Sequence, residues 1–316
     1  MERWCVEGLG RFAFLQQYVG TCLLSSTCRN GLSSRSPADV SFTETETSLP
    51  RPFYDEWSRS LRPAAHALWA WHSALAEPQP IESNGTEAAV ASFFDEEVAR
   101  ATAGDPMRLL REEVWSNAYA VCDAHDLDRS LLAQQVGAAK ALYGTTRFQT
   151  GPEMKAFVGQ WAVPHGRLLA GLAGVTLEVR LKYADELSRG FFHLGRLVSL
   201  PADVQKDRLF IPLENLDHRD VQMDDLRSGT VHDGVRGLLW KECVRVRDAL
   251  AQGRPLIGNL SLRRRFALKR FWVGALEVLN ELERRDFDLW DAPLDLSLFR
   301  RMQVYLQTLF GSATAR

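Results

Sequence analysis

Three stretches hold residue types able to do chemistry at short spacing. Cys122 and His125 stand one helical turn apart in CDAHDLD, residues 122–128, beside Asp123, Asp126 and Asp128. A thiolate, an imidazole and carboxylates are the donor types of a metal site. The stronger reading is an exposed turn in which Asp126 or Asp128 caps a helix starting near Ser130. In LDHRDVQMDDLRSG, residues 216–229, Asp217, Asp220, Asp224 and Asp225 are spaced as a cap and a solvated helix face, with Gly229 as the stop. LRRRFALKRFW, residues 262–272, interleaves Arg263, Arg264, Arg265, Lys269 and Arg270 with Phe266, Phe271 and Trp272. That composition suits a helix lying on an anionic membrane surface or against a diphosphate, although an amphipathic helix with a solvated basic face explains it more simply. No GxSxG, HExxH, Walker loop or strand-borne GxGxxG is present.

The elements that must position any such residues read as helices almost throughout. From about residue 50, apolar residues recur every three or four positions, as in FYDEWSRSLRPAAHALWAWHSALAE, where Pro63 separates a helix and turn from a second helix. The same period runs through EAAVASFFDEEVARATAGDP, PMRLLREEVWSNAYAVCDAHD, SLLAQQVGAAKALYG, GPEMKAFVGQWAVPHGRLLAGLAGV, EVRLKYADELSRGFFHLGRLVSL and three further segments to the C-terminus. Gly, Pro or Asp bounds each one. No hairpin signal joins alternating apolar runs. The expected class is all-α, a single orthogonal multi-helix bundle around a central cavity.

Bulk properties narrow the function. With 316 residues, 46% of them hydrophobic, the chain can bury a large core. A formal charge of -2 and a pI near 6.4 exclude a broad nucleic-acid-binding surface. The cysteines at 5, 22, 28, 122 and 243 show no paired spacing and read as reduced thiols of a cytoplasmic-type compartment. No apolar run approaches the roughly 20 residues of a membrane span. Residues 1–45, acid-free between Gly8 and Ala38 and rich in Ser and Arg, read as a poorly ordered extension before a helical domain over 46–316; organelle targeting by this extension stays open.

The order of four segments resembles the squalene/phytoene synthase family from about residue 50 to 310. Arg62, the run Ala67-Leu68-Trp69-Ala70-Trp71, Gly166, Arg208 and Leu209-Phe210-Ile211-Pro212 fall on the family's patterns, written Arg then ALYAF, YxxxVAGxVG and QLxNILRDxxEDxxxGRxYLP. The resemblance implies the isoprenoid synthase-like helical fold and a head-to-head condensation of two prenyl diphosphates. Family members neutralise the departing diphosphate with Mg²⁺, held by carboxylates four residues apart on facing helices.

This sequence departs from those patterns at the carboxylates. The first Asp-rich motif reads Ala76-Glu77-Pro78-Gln79-Pro80; in the second, the Gln, Asn and first Asp positions hold Phe192, Gly195 and Ser199, leaving Asp203. Pro201 and the later ERRDFDLWD, residues 283–291, resemble the branch that includes the mitochondrial complex I assembly factor and its bacterial relatives. The leading expectation is a non-catalytic or repurposed member whose apolar cavity, lined by Phe191, Phe192, Trp161 and Trp69, binds an isoprenoid, another lipid or a protein. The alternative is an active Mg²⁺-dependent prenyltransferase built on Glu77, Asp95, Glu96 and Asp203, and a third reading is a plain scaffold. In the transferase case Asp203 and Glu77 are the metal ligands and catalytic carboxylates, while Arg62, Arg208, Phe192 and Trp161 hold substrate. Mg²⁺ is expected only for the catalytic reading. A peripheral contact with the inner membrane through the helix carrying Arg263 to Arg270 completes the expectation.

Overall fold

The computed structural model describes residues 57–76, 87–143, 146–291, 294 and 296–310. The expected extension over 1–45, the residue Glu77 and the three cysteines before residue 50 lie outside them.

Among the described residues the chain is helical, with one isolated bridge and no strand. Its long helices are α1 (Arg62–Ala76), α2 (Glu87–Ala103), α3 (Glu112–Ala124), α4 (Ser130–Ala139), α5 (Gly151–Leu172) and α6 (Glu178–Val198). Three short helices follow, α7 (Leu200–Gln205), α8 (Leu213–Asp217) and α9 (Met223–Ser228). Then come α10 (Asp233–Gly253), α11 (Pro255–Gly258), α12 (Leu262–Arg284) and α13 (Leu298–Phe310). The all-α expectation is met.

Local chemistry sets the boundaries. Pro63 falls in the first turn of α1, where a missing N–H costs nothing. Thr150 caps α5 by accepting from the Glu153 amide, with Pro152 in the first turn. Asp128 accepts from the Ser130 amide at 2.8 Å, as the capping reading of the Cys122–Asp128 stretch required. Gly229 ends α9 at φ 74°. One boundary differs from expectation, because residues 106–111 do not continue the helix read from PMRLLREEV. The buried Glu97 carboxylate of α2 accepts from the backbone amides of Arg108 and Leu109 at 2.8 and 2.9 Å, and those amides are thereby held in a turn.

The bundle is centred on α6, which packs between α5 and α10, while α1 reaches α3, α4 and α5. Two glycines set these approaches. A Cβ on Gly166 of α5 would sit 1.7 Å from Ser188 Oγ of α6, and one on Gly253 of α10 would meet the Leu187 backbone nitrogen at 2.7 Å. Trp71, Phe94, Leu68, Leu168 and Leu194 are fully buried between these helices. Burial also pushes the Cys122 and Cys243 thiols up to about 12, so both stay protonated and unreactive near neutrality.

The exit from α7 is extended. The Leu209 amide donates to Thr146 O at 2.8 Å and the Leu213 amide to Phe148 O at 2.9 Å, which lays RLFIP alongside residues 146–148. Asp207, just before it, adopts φ 56° where the family pattern has Gly. Its short carboxylate tolerates that conformation and pairs with Arg147 and Arg227.

Candidate functional site: a closed ion pair beside an apolar cavity

The junction of α6 and α7 carries the residues matched to the family's second metal motif. The helix axis breaks at Ser199, whose carbonyl accepts from the amides of Ala202 and Asp203 at 2.9 and 2.8 Å. The break folds α7 back so that Arg196 Nη1 lies 3.3 and 3.2 Å from the two Asp203 carboxylate oxygens. The same guanidinium covers the Phe210 ring at 5.0 Å. Asp203 is only 7% exposed. Burial pushes its carboxyl above the ordinary range, and the Arg196 charge, followed by those of Arg208 and Lys206, opposes that push.

A guanidinium nitrogen therefore already engages both oxygens of Asp203. Mg²⁺ binds through hard oxygen donors at about 2.0–2.1 Å, usually one or two carboxylates together with substrate phosphates. Among the described residues, no three of His, Cys, Asp and Glu come together as a metal-binding group. Asp95 and Glu96 stand exposed on α2, and Glu96 pairs with Arg108. They do not join Asp203. Glu77, the carboxylate of the first motif, lies outside the described residues.

The two arginines expected to meet phosphate differ in setting. Arg208 is half-buried close to Asp203, and no hydrogen bond or ion pair engages its guanidinium among the described residues. Arg62 donates weakly from Nη2 to the Trp57 carbonyl at 3.5 Å, and its Nε is buried without a partner. The basic stretch of α12 is largely committed to structure. Arg264 donates to Ala173 O, Arg265 to Gly258 O and Leu260 O, and Lys269 to Thr308 O.

Between α1, α5, α6, α11 and α12 lies a cavity with about 80 Å³ open to the centre of a water-sized sphere, inside an envelope of about 710 Å³ that includes its solvent mouth. Phe191 and Phe192 line it as expected, together with Trp57, Leu169, Leu187, Leu256, Leu260 and Leu268. Trp161 and Trp69 stand behind the wall instead. Trp161 packs on His72 at 4.4 Å between ring centroids, and Trp69 packs on His165 at 6.0 Å. The polar lining is His72, His165 and Ser188, and among the described residues no Lys, Arg, Asp or Glu lines it.

His72 of α1 and His165 of α5 stack with centroids 4.4 Å apart and planes 21° apart. Burial lowers the His72 pKa to about 4 and that of His165 well below its ordinary value, so both rings are neutral near pH 7. His72 Nδ1 meets Gln135 Oε1 at 2.9 Å, while Gln135 Nε2 donates to Leu131 O. That orientation of the amide makes Nδ1 the protonated nitrogen and Nε2 the acceptor. Neither histidine was singled out from the sequence, since Trp69–His72 and Trp161–His165 share helix faces and look like ordinary core aromatics.

Comparisons with known proteins agree with this architecture. Residues 55–304 match the profile of the family described as squalene/phytoene synthase. Over 121 residues the chain is 29% identical to a phytoene synthase of Thermus thermophilus, a match spanning 38% of this chain and 42% of that relative. The squalene synthase HpnC from Alicyclobacillus acidocaldarius superposes with a TM-score of 0.63 at 20% identity, covering 75% of this chain and 88% of that one. A dehydrosqualene synthase solved with ligand gives a TM-score of 0.65 at 14% identity, covering 81% and 89%. At those identities the structures speak for a shared fold, and the profile match runs through most of the helical bundle. The chain belongs to the squalene/phytoene synthase family.

Proposed function

We propose that this chain is a non-catalytic member of the family that keeps the apolar cavity to bind an isoprenoid-type lipid and has given up metal-dependent prenyl transfer. The observation that carries the reading is the Arg196–Asp203 pair. The one carboxylate left at the second motif is buried and neutralised by the chain's own guanidinium, so it has no charge to spare for a cation. Gly195 and Ser199 supply no further carboxylate at the neighbouring positions.

Turnover tests this directly. Purified protein with Mg²⁺ and farnesyl or geranylgeranyl diphosphate is expected to yield no C30 or C40 product. Product that forms with Mg²⁺ and disappears in Asp203→Ala would establish the competing transferase reading.

The proposal also retains a peripheral membrane contact. No described helix is long and apolar enough to cross a membrane. Beside α12, however, α13 presents Phe299, Met302, Leu306 and Leu309 to solvent at helical spacing, with Leu262 and Arg263 exposed at the start of α12. An exposed apolar stripe next to a cation supports contact with an anionic bilayer. Co-sedimentation with phosphatidylglycerol vesicles is expected for the native chain and lost in Phe299→Asp/Leu306→Asp; equal binding by both would remove this part of the proposal.

A further inference from the structure

Within the cavity one side chain is out of balance. His165 is 4% exposed, and both its Nδ1 and its Nε2 are buried without a hydrogen-bond partner among the described residues. A neutral imidazole carries one N–H donor and one lone-pair acceptor, so both capacities go unused. Leaving such groups dry and unpaired is costly, and native proteins usually pair them with protein, water or ligand. His165 borders the cavity, next to Ser188, whose hydroxyl donates to the Ala184 carbonyl at 2.7 Å and keeps its lone pairs for another donor. Across from it, His72 offers Nε2 as an acceptor, because Gln135 holds Nδ1.

Among the described residues the wall around these groups is apolar and carries no charge. A diphosphate placed here would bring at least two negative charges into an uncharged, half-enclosed site, and the desolvation would far outweigh two neutral hydrogen bonds. A hydroxyl or carbonyl on a long hydrocarbon brings no such charge. It can accept from and donate to the imidazoles, while its chain covers Phe191, Phe192 and Leu268.

We propose that the cavity binds a lipid with an uncharged oxygen head group, hydrogen-bonded to His165, in preference to a prenyl diphosphate. This rests on the non-catalytic reading of the cavity and names the ligand class it would take.

The test uses the full chain and probes that share one hydrocarbon: farnesol, farnesyl diphosphate without Mg²⁺, and the hydrocarbon farnesene. Tryptophan fluorescence and melting temperature report binding. Farnesol is expected to bind at least tenfold more tightly than either of the others. His165→Leu should weaken farnesol about tenfold, the worth of one neutral hydrogen bond, and leave farnesene unchanged. Diphosphate binding more tightly than the alcohol, farnesol affinity unchanged in His165→Leu, or no farnesol binding by the native chain, with water alone filling the cavity, would each overturn the assignment. Should His165→Leu fail to fold by circular dichroism, the order of the three probes on the native chain decides alone. Mg²⁺-dependent turnover of farnesyl diphosphate is a separate outcome, and sinks the non-catalytic reading itself.

Discussion

Two polar pairs, one half-buried and one buried, lie in this bundle and end differently. Arg196 places one guanidinium nitrogen on both oxygens of Asp203 across the α6–α7 break. His72 and His165 stack across α1 and α5, and only His72 has found a protein partner. The contrast teaches where a ligand can still act. A pair closed on itself resists a newcomer, because inserting one means breaking a buried interaction; an unpaired group gains from any partner that reaches it.

The comparison breaks most visibly at the ion pair. Arg196→Ala removes the first of the cations that offset burial of the Asp203 carboxylate, together with the cover on Phe210, so unfolding in urea should show a loss of about 3 kcal/mol. Asp203→Leu in the same chain should recover much of it, and additive losses in that cycle would mean the two residues are not coupled. Gly166→Ala comes next. The added methyl overlaps Ser188 Oγ, forcing α5 and α6 apart at an expected cost of about 2 kcal/mol. Ser188→Gly should rescue it. His165→Leu has the opposite sign, because removing an unpaired buried imidazole should raise the stability of the ligand-free protein by about 1 kcal/mol. A loss of stability would show that His165 is already partnered.

A smaller and more graded effect is expected from pH. Burial lowers the folded-state pKa of His72 to about 4, of His193 to about 3, and of His165 in the same direction. Unfolded histidines titrate near 6.5. On acidification through that value the unfolded chain takes up protons that the folded chain refuses, so stability is whole above about 6.5 and falls steadily toward pH 4. Asp203 and Glu242, whose carboxyls burial pushes upward, act in the other direction and only nearer the carboxylate range. Melting curves between pH 7 and 5 should therefore show a decline that is shallower in His165→Leu. An unchanged slope would place the proton uptake elsewhere.

Much of the bundle was legible in the sequence. The helical periods of α5, α6, α10, α12 and α13 appear as read, and the Asp128 cap and Gly229 stop fall where their chemistry put them. The site was legible only in part. Asp203 stood out as the lone carboxylate, yet Arg196 did not, because a pair seven residues apart needs both side chains to reach along the helix axis, as Arg284 and Glu277 do at 2.8 Å on α12, and spacing does not specify that. The break at Ser199 comes just before Pro201, which lacks the amide that would continue the helix onto the Leu197 carbonyl. Trp69 and Trp161 were read as lining because aromatic residues at helical spacing mark a buried face. Spacing does not say which member of that face reaches the cavity, and it is the histidines one turn along that do.

The central claim is that Asp203 no longer holds a metal, and Mn²⁺ tests it most directly. Mn²⁺ substitutes for Mg²⁺ at oxygen sites and is paramagnetic, so its binding to the full chain can be titrated through the relaxation of water, with farnesyl diphosphate present at a fixed concentration. The account predicts relaxation that matches Mn²⁺ and farnesyl diphosphate without protein. Saturable Mn²⁺ binding that is lost in Asp203→Asn would contradict it.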